Sequence, residues 1–324
     1  MKILVTGGAG YIGGTTAKEL LDRGHFITIL DDLSEGHSES IDSRAEFVKG
    51  SVGDAKVLKK IFSHGKFDAV MHFAASCLVP ESVQNPKLYY ENNVSAGLVL
   101  LHEMIDHKVP KIIFSSSCAV YGEPEEMPIT ENTIKNPSHP YGETKLAFER
   151  ILKWYSKAYN FTAVSLRYFN AAGATSDHGE HHDPETHLIP NVLNAALGRI
   201  PHLEVYGTDY PTEDGTCIRD YIHVVDIAEA HILALNFDRS ESFNLGNANG
   251  YSVKQVIESA EKVCGLKVPM LERSRRAGDP PCLIANAKKI HEELGWVPKL
   301  PKLKEMISSA WDWMKAHPHG YGKK

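Results

Sequence analysis

Tyr141 and Lys145 stand four residues apart in the part of the sequence best suited to proton transfer. The preceding Pro140 suits the first turn of a helix, where its missing N–H is no loss. Apolar residues at helical spacing then predict a helix to about Asn160, which places Tyr141 and Lys145 on the same side. A nearby ammonium favours a phenolate, and a phenolate can take a proton from an alcohol. The alternative is a surface tyrosine above a surface lysine.

A glycine-rich turn near the start of the chain predicts a nucleotide site. Gly7, Gly10 and Gly13 follow a short apolar run, and a helix and a second apolar run ending in Asp31 come next. Glycines let backbone amides approach a pyrophosphate at a helix N-terminus, and an acid in the position of Asp31 holds a ribose hydroxyl. Asp32 adds a second negative charge that would repel a 2′-phosphate, so NAD is favoured over NADP.

Strand-like apolar runs alternate with helical ones as far as Tyr168. This alternation predicts an α/β fold with a Rossmann-type, doubly wound parallel sheet that binds ligands beyond the carboxyl ends of its strands. After Asn170 the sequence becomes rich in Gly, His, Asp and Pro. We therefore predict an NAD-binding domain over residues 1–170 and a smaller mixed α/β substrate lobe over 171–324. The chain is expected to return to the first domain near 222–235.

Composition excludes several classes of function. The 324 residues carry a formal net charge of −6 and no Lys/Arg-rich block, which argues against nucleic-acid binding. The sequence contains no apolar run of membrane-spanning length and begins directly with a strand-like segment, so neither a membrane span nor a signal peptide is expected. Its five cysteines form no Cys-x-x-Cys pair. They predict reduced thiols and a cytoplasmic location.

Taken together, the glycine turn, Asp31, Ser117, Tyr141 and Lys145 resemble the extended short-chain dehydrogenase/reductase family over essentially the whole chain. Three segments are also similar to the UDP-glucose 4-epimerase branch of that family: Phe114–Gly122, Arg167–Asn170 and Tyr210–Val224. The resemblance implies an isomerase of galactose metabolism that interconverts UDP-galactose and UDP-glucose. Tightly bound NAD would oxidise C4 of the sugar, the 4-keto sugar would rotate, and the hydride would return. Ser117, Tyr141 and Lys145 would be the catalytic residues.

The same resemblance implies contacts for both ligands and a homodimer formed through helices near 92–106 and 141–160. The cofactor would contact Gly7, Gly10, Tyr11, Ile12, Gly13, Asp31, Ser51, Val52, Phe73, Ala74, Ala75, Asn92, Ser115, Tyr141, Lys145 and Tyr168. The UDP-sugar would contact Ser117, Asn170, His187, Leu188, Tyr206, Arg219, Arg276, Asp279 and Leu283.

Departures from the family pattern leave alternative functions open. Cys118 and Ala119 stand where related dehydratases and decarboxylases carry an acid or base, which disfavours dehydration. Leu283 stands where a larger tyrosine restricts the sugar, so tolerance of N-acetylated sugars is expected. The alternatives are a UDP-N-acetylhexosamine 4-epimerase, a UDP-pentose or UDP-uronate 4-epimerase, and a catalytically silent NAD-binding regulator. Intact Ser117, Tyr141 and Lys145 favour an enzyme over a regulator.

A histidine-rich segment at residues 178–183 is the one candidate for a metal site in the sequence. Its spacing matches no His-Glu-x-x-His helix, and the surrounding Gly and Pro residues predict a loop. No metal is therefore expected.

Overall fold

The computed structural model describes residues 1–276 and 278–322. The strands are β1 (Lys2–Thr6), β2 (Phe26–Asp31), β3 (Glu46–Lys49), β4 (Ala69–His72), β5 (Lys111–Ser117), β6 (Thr162–Tyr168), β7 (Asn170–Ala172), β8 (Leu203–Tyr206), β9 (Ile218–His223), β10 (Glu241–Leu245), β11 (Gly250–Ser252), β12 (Met270–Arg273) and β13 (Cys282–Leu283). The helices are α1 (Tyr11–Asp22), α2 (Ala55–Ser63), α3 (Val79–Gln84), α4 (Pro86–Tyr90), α5 (Ala96–Asp106), α6 (Pro140–Tyr159), α7 (Leu188–Ala196), α8 (Val224–Ala234), α9 (Val253–Cys264), α10 (Lys288–Leu294) and α11 (Leu303–Ala316).

A seven-stranded parallel sheet in the order β10-β6-β5-β4-β1-β2-β3 forms the larger layer of the molecule. Its strands, apart from the exposed edge strand β3, are buried on both faces because helices cover both sides. One core contains Leu20 of α1 and Ile227 of α8, and the other contains Leu58 of α2, Leu100 of α5 and Phe148 of α6. The predicted doubly wound α/β fold is confirmed. None of the described helices is long and apolar enough to cross a membrane.

The smaller lobe is built on a four-stranded sheet of β7, β9, β11 and β13 and on the parallel pair β8–β12. Its core packs α7, α9 and α11 together. Between the two, α8 packs against α1, and β10 joins the large sheet beside β6. The chain therefore returns to the large sheet over residues 224–245, a longer stretch than the sequence predicted.

The polar composition of residues 210–220 favours a loop, but the end of this stretch belongs to β9, Ile218–His223. The polar residues of this strand are buried with partners, which hides the strand from a hydropathy pattern. The Asp220 carboxylate accepts hydrogen bonds from the backbone amides of Asn247, Ala248 and Ala285. These bonds tie β9 to the segments that follow β10 and β13.

Helix α6 is fixed to the sheet by a buried ion pair. The Arg167 guanidinium of β6 donates to both carboxylate oxygens of Glu149 on α6, at 2.8 and 2.5 Å. Ser116 of β5 donates to the same carboxylate at 2.6 Å, and Arg167 also donates to the Tyr121 hydroxyl at 2.8 Å. Because both side chains are more than nine-tenths buried, the charges have no water to replace a lost partner.

We expect Glu149→Ala to lower the free energy of unfolding by roughly 3–5 kcal/mol, because it leaves the buried Arg167 charge uncompensated. Glu143→Ala on the same helix is the matched control. Its side chain is 40% exposed and lies 3.9 Å from Arg150, so its loss should change the free energy of unfolding by about 0.5 kcal/mol or less. Urea denaturation followed by circular dichroism measures both, and equal effects would contradict the assignment.

Candidate active site

A cavity of about 1890 Å³ opens at the carboxyl ends of β1, β2, β4, β5 and β6 and extends to the smaller lobe. Every residue that the sequence assigned to catalysis, to the cofactor or to the sugar lines this cavity. The parallel sheet accounts for the convergence of the residues at its strand ends, since all of its strands end at one edge. The residues assigned to the sugar from His187 onward come from the smaller lobe and the loop before it.

The glycine-rich turn packs closely between β1, β4 and the start of α1. Gly7 has φ +74°, and a side-chain carbon there would lie 2.5 Å from the backbone nitrogen of Ala74. A side-chain carbon at Gly13 would lie 2.1 Å from the carbonyl oxygen of Gly7. Asp31, at the end of β2, accepts the amides of Ala9 and Leu33, each at 2.9 Å. The turn and its neighbouring carboxylate thus fit the pyrophosphate and ribose of a dinucleotide.

The three residues predicted to be catalytic converge from β5 and α6. Ser117 is the last residue of β5, and its hydroxyl accepts the amide of Ala119 at 3.2 Å. Tyr141 and Lys145 lie in the first turns of α6. The Lys145 ammonium donates to the carbonyl oxygen of Ser115 at 2.8 Å and lies 5.8 Å from the centre of the Tyr141 ring. One side of the cavity therefore carries a phenol, a hydroxyl and an ammonium.

The opposite wall carries the cationic groups that suit a diphosphate. Arg219 of β9 forms a partly buried ion pair with Asp279, and the Arg276 guanidinium lies 3.9 Å above the ring of Tyr206. Arg276 belongs to a short run of arginines that could have been a solvated surface patch. The other two, Arg273 and Arg275, are paired with surface carboxylates and do not line the cavity.

Comparison with known proteins places the chain in a family. The NAD dependent epimerase/dehydratase family profile matches residues 3–246. The chain belongs to this family. It is 50% identical over 327 residues to a UDP-glucose 4-epimerase of Halalkalibacterium halodurans, covering 99% of this chain and 98% of that protein.

Solved structures agree with this assignment. A crystal structure of a UDP-glucose 4-epimerase is 47% identical, with a TM-score of 0.97 and full coverage of both chains. The enzyme from Bifidobacterium longum, crystallised with NAD⁺ and UDP, is 39% identical, with a TM-score of 0.95 and coverage of 99% of this chain and all of that one.

One site residue of this epimerase/dehydratase family member was missed by sequence reasoning. His139 precedes α6, and its Nδ1 accepts the amide of Gly142 at 3.2 Å, so it caps the helix that carries Tyr141. Its ring also stacks on Tyr141, with ring centres 6.0 Å apart. Histidine is outside the usual set of N-cap residues, which is why the pattern gave no signal. Burial lowers the pKa of His139, which keeps Nδ1 free to accept.

Burial controls the protonation of the catalytic pair. It raises the pKa of the Tyr141 phenol well above its usual range, opposed by the Ser117 hydroxyl. It also lowers the pKa of the Lys145 ammonium to about 8. Spacing alone had suggested a phenolate stabilised by Lys145. In the folded chain the neutral phenol is favoured, and the charge of Lys145 depends on pH in the range where an enzyme works.

The loop between β7 and α7 contains further side chains at the cavity. Sequence reasoning considered only the segment around His178–Asp183. The structure places Glu180 and His182 of that segment beside Glu185 and His187. The spacing Glu-x-His, repeated as Glu185-x-His187, is the signal that could have found this cluster, because residues two apart in an extended segment share a side.

Lys145 predicts a pH dependence of stability. Because burial lowers its pKa from 10.5 in the unfolded chain to about 8, the unfolded chain binds more protons than the folded chain between these pH values. The free energy of unfolding should therefore rise with pH, by about 2 kcal/mol from pH 7.5 to 9.5.

The variant Lys145→Met should lack this contribution. The measurement is the difference between wild type and variant in urea denaturation of the cofactor-free chain at the two pH values, which cancels the other titrating groups. Identical pH dependence of the two proteins would contradict a lowered pKa of Lys145 in the folded chain.

Proposed function

We propose that this protein is a UDP-hexose 4-epimerase that interconverts UDP-galactose and UDP-glucose with NAD as its cofactor. The observation that carries the proposal is the shared cavity, which Tyr141, Ser117, Arg219 and Arg276 all line. One wall suits an alcohol that loses a proton, and the other suits a diphosphate. The full-length relatives named UDP-glucose 4-epimerase support the choice of substrate.

In the proposed reaction the Lys145 ammonium and the positive charge that NAD⁺ would bring favour the phenolate of Tyr141 over the neutral phenol of the cofactor-free chain. This phenolate takes the proton from the 4-hydroxyl of the sugar as C4 is oxidised. Ser117 hydrogen-bonds the same oxygen and steadies it as charge moves. Bound NAD supplies the hydride acceptor and donor. Arg219 and Arg276 retain the diphosphate while the 4-keto sugar rotates. Tyr141 then returns its proton to the oxygen when C4 is reduced on its other face, so the net redox change is zero.

The residues after Ser117 argue against dehydration in the same cavity. Burial raises the pKa of the Cys118 thiol to about 12, so the thiol neither donates nor accepts a proton readily near neutral pH. Ala119 has no ionisable group. A leaving hydroxyl would therefore find no acid beside Ser117, and the sugar keeps all its oxygens.

We also propose that two copies pair through α5 and α6. The outer surface of α6 exposes Trp154 at 68% and Tyr159 at 55%, and His102 of α5 stacks on Tyr155 with ring centres 6.0 Å apart. A large aromatic surface of this kind favours an interface. A molar mass in solution equal to one chain would contradict the pairing.

The free cysteines of the described chain support a cytoplasmic location.

Tyr141→Phe should lower turnover by roughly 10²- to 10⁴-fold, because it removes the proton acceptor and keeps the ring. Proton NMR of UDP-galactose converting to UDP-glucose, without added NAD, measures the wild type and the variant. Thermal unfolding and the amount of bound NAD should be nearly unchanged in the variant. Full activity in Tyr141→Phe would refute the mechanism, and an inactive wild type supplied with NAD would refute the proposed substrate.

Leu283 predicts tolerance of an N-acetylated sugar. It lies on β13 directly beside Arg219 of β9 and lines the cavity. We expect the wild type to convert UDP-N-acetylgalactosamine as well as UDP-galactose. Leu283→Tyr should lower kcat/KM for UDP-N-acetylgalactosamine, relative to kcat/KM for UDP-galactose, by roughly tenfold or more. The reason is that the larger ring fills the space of the acetyl group. No turnover of the acetylated substrate by a preparation active on UDP-galactose would contradict this role.

A further inference from the structure

Four ionisable side chains converge in the loop between β7 and α7: Glu180, His182, Glu185 and His187. Each offers one nitrogen or oxygen atom, and these atoms all lie within 4.8 Å of one another. Nδ1 of His187 lies 3.0 Å from Glu180 and 2.9 Å from Glu185. Nδ1 of His182 lies 3.8 Å from Glu180 and 3.5 Å from Glu185. One ligand atom from each side chain is therefore close enough to the other three to share a single ion.

Hydrogen bonds within the cluster leave it incomplete. Nδ1 of His187 can carry one hydrogen, which two carboxylates must share. Nδ1 of His182 is buried and has no hydrogen-bond partner among the described residues. The side chains of Glu180 and Glu185 are only 9% and 11% exposed. Two carboxylates with so little access to water require positive charge beside them, which either protonated imidazoles or a bound cation can supply.

We propose that Glu180, His182, Glu185 and His187 bind one divalent transition-metal ion of the zinc type. A tetrahedral zinc ion with bonds of about 2.0–2.1 Å holds its ligand atoms about 3.3 Å apart. The two histidine nitrogens lie 3.0 and 3.8 Å from Oε1 of Glu180, and 2.9 and 3.5 Å from the two separate oxygens of the Glu185 carboxylate, close to that value. Two imidazoles disfavour magnesium and calcium, which prefer oxygen ligands alone.

The local backbone holds the cluster in shape. The His187 amide donates to the Glu185 carboxylate at 2.8 Å, and the Asn191 side chain donates to the Glu185 carbonyl oxygen at 3.1 Å. The ion would close the loop immediately before α7, whose first residue, Leu188, lines the cavity. Metal at Nδ1 of His187 places the ring hydrogen on Nε2, where it can serve as a donor to the sugar. This last consequence rests on the proposed function, whereas the metal site does not.

The test uses the untagged full-length chain with its cofactor. Metal content after gel filtration, measured by inductively coupled plasma mass spectrometry, should be close to one ion per chain. Zinc affinity is then measured by competition with a fluorescent chelator. His182→Gln and Glu180→Gln should each lower it by roughly tenfold or more. His181→Gln is the matched control, because His181 lies in the same loop and contacts His37 outside the cluster. It should keep the wild-type affinity.

Circular dichroism of each variant without zinc checks that the fold is retained. X-ray absorption of the zinc-loaded protein should report nitrogen and oxygen ligands only. Three results would overturn the proposal: no retained metal together with no zinc-induced rise in Tm, equal zinc affinity in His182→Gln and the wild type, or a sulfur ligand at about 2.3 Å. None of these measurements uses turnover, so an inactive enzyme leaves the test intact.

Discussion

The buried contact of Glu149 with Arg167 and Ser116 is the constraint on which the site depends. A tyrosine transfers a proton only over hydrogen-bonding distance, so its helix must stay in one register against the strand that carries Ser117. A hydrophobic contact tolerates sliding, whereas a guanidinium that meets a carboxylate through two parallel hydrogen bonds has one geometry. The ion pair lies about two turns along α6 from Tyr141, and so sets the rotation of the helix as well as its position.

The two walls of the cavity solve different problems. In the wall formed by β5 and α6, burial disfavours the charged forms of both Tyr141 and Lys145. The Arg219 guanidinium stays charged, and its ion pair with Asp279 stabilises that charge. A reaction that leaves its substrate with the same oxidation state needs this division, since the sugar must turn while its nucleotide stays in place.

Much of the fold follows directly from the sequence. The spacing of Gly7, Gly10 and Gly13 and the alternation of buried strands with helices are local signals, and the parallel sheet then brings distant strand ends together. Asn160 even marks the end of α6, where it adopts φ +53° as a left-handed cap. The predicted ligand-binding residues at the strand ends line one cavity because the parallel strands all end at the same edge of the sheet.

What the sequence left out depends on contacts between distant segments. Strand β9 could not be predicted because Asp220 is a residue typical of loops, and its burial depends on the three backbone amides that donate to its carboxylate. His139 escaped because its capping role arises from the turn it enters. The cluster of Glu180 and His187 escaped because the path of a loop, and no helical spacing, brings its members together. The lowering of the Lys145 pKa by burial likewise cannot be predicted from residue spacing.

The position of β5 within the sheet has a consequence for motion. It is paired with β6 along its whole length and with β4 through Ile112–Phe114, whereas β3 is a largely exposed edge strand paired only with β2. Local opening at β3 breaks one ladder, but an opening that displaces β5 as a whole must break two at once. The sheet can therefore open locally at its β3 edge while β5, which carries Ser117, stays in place.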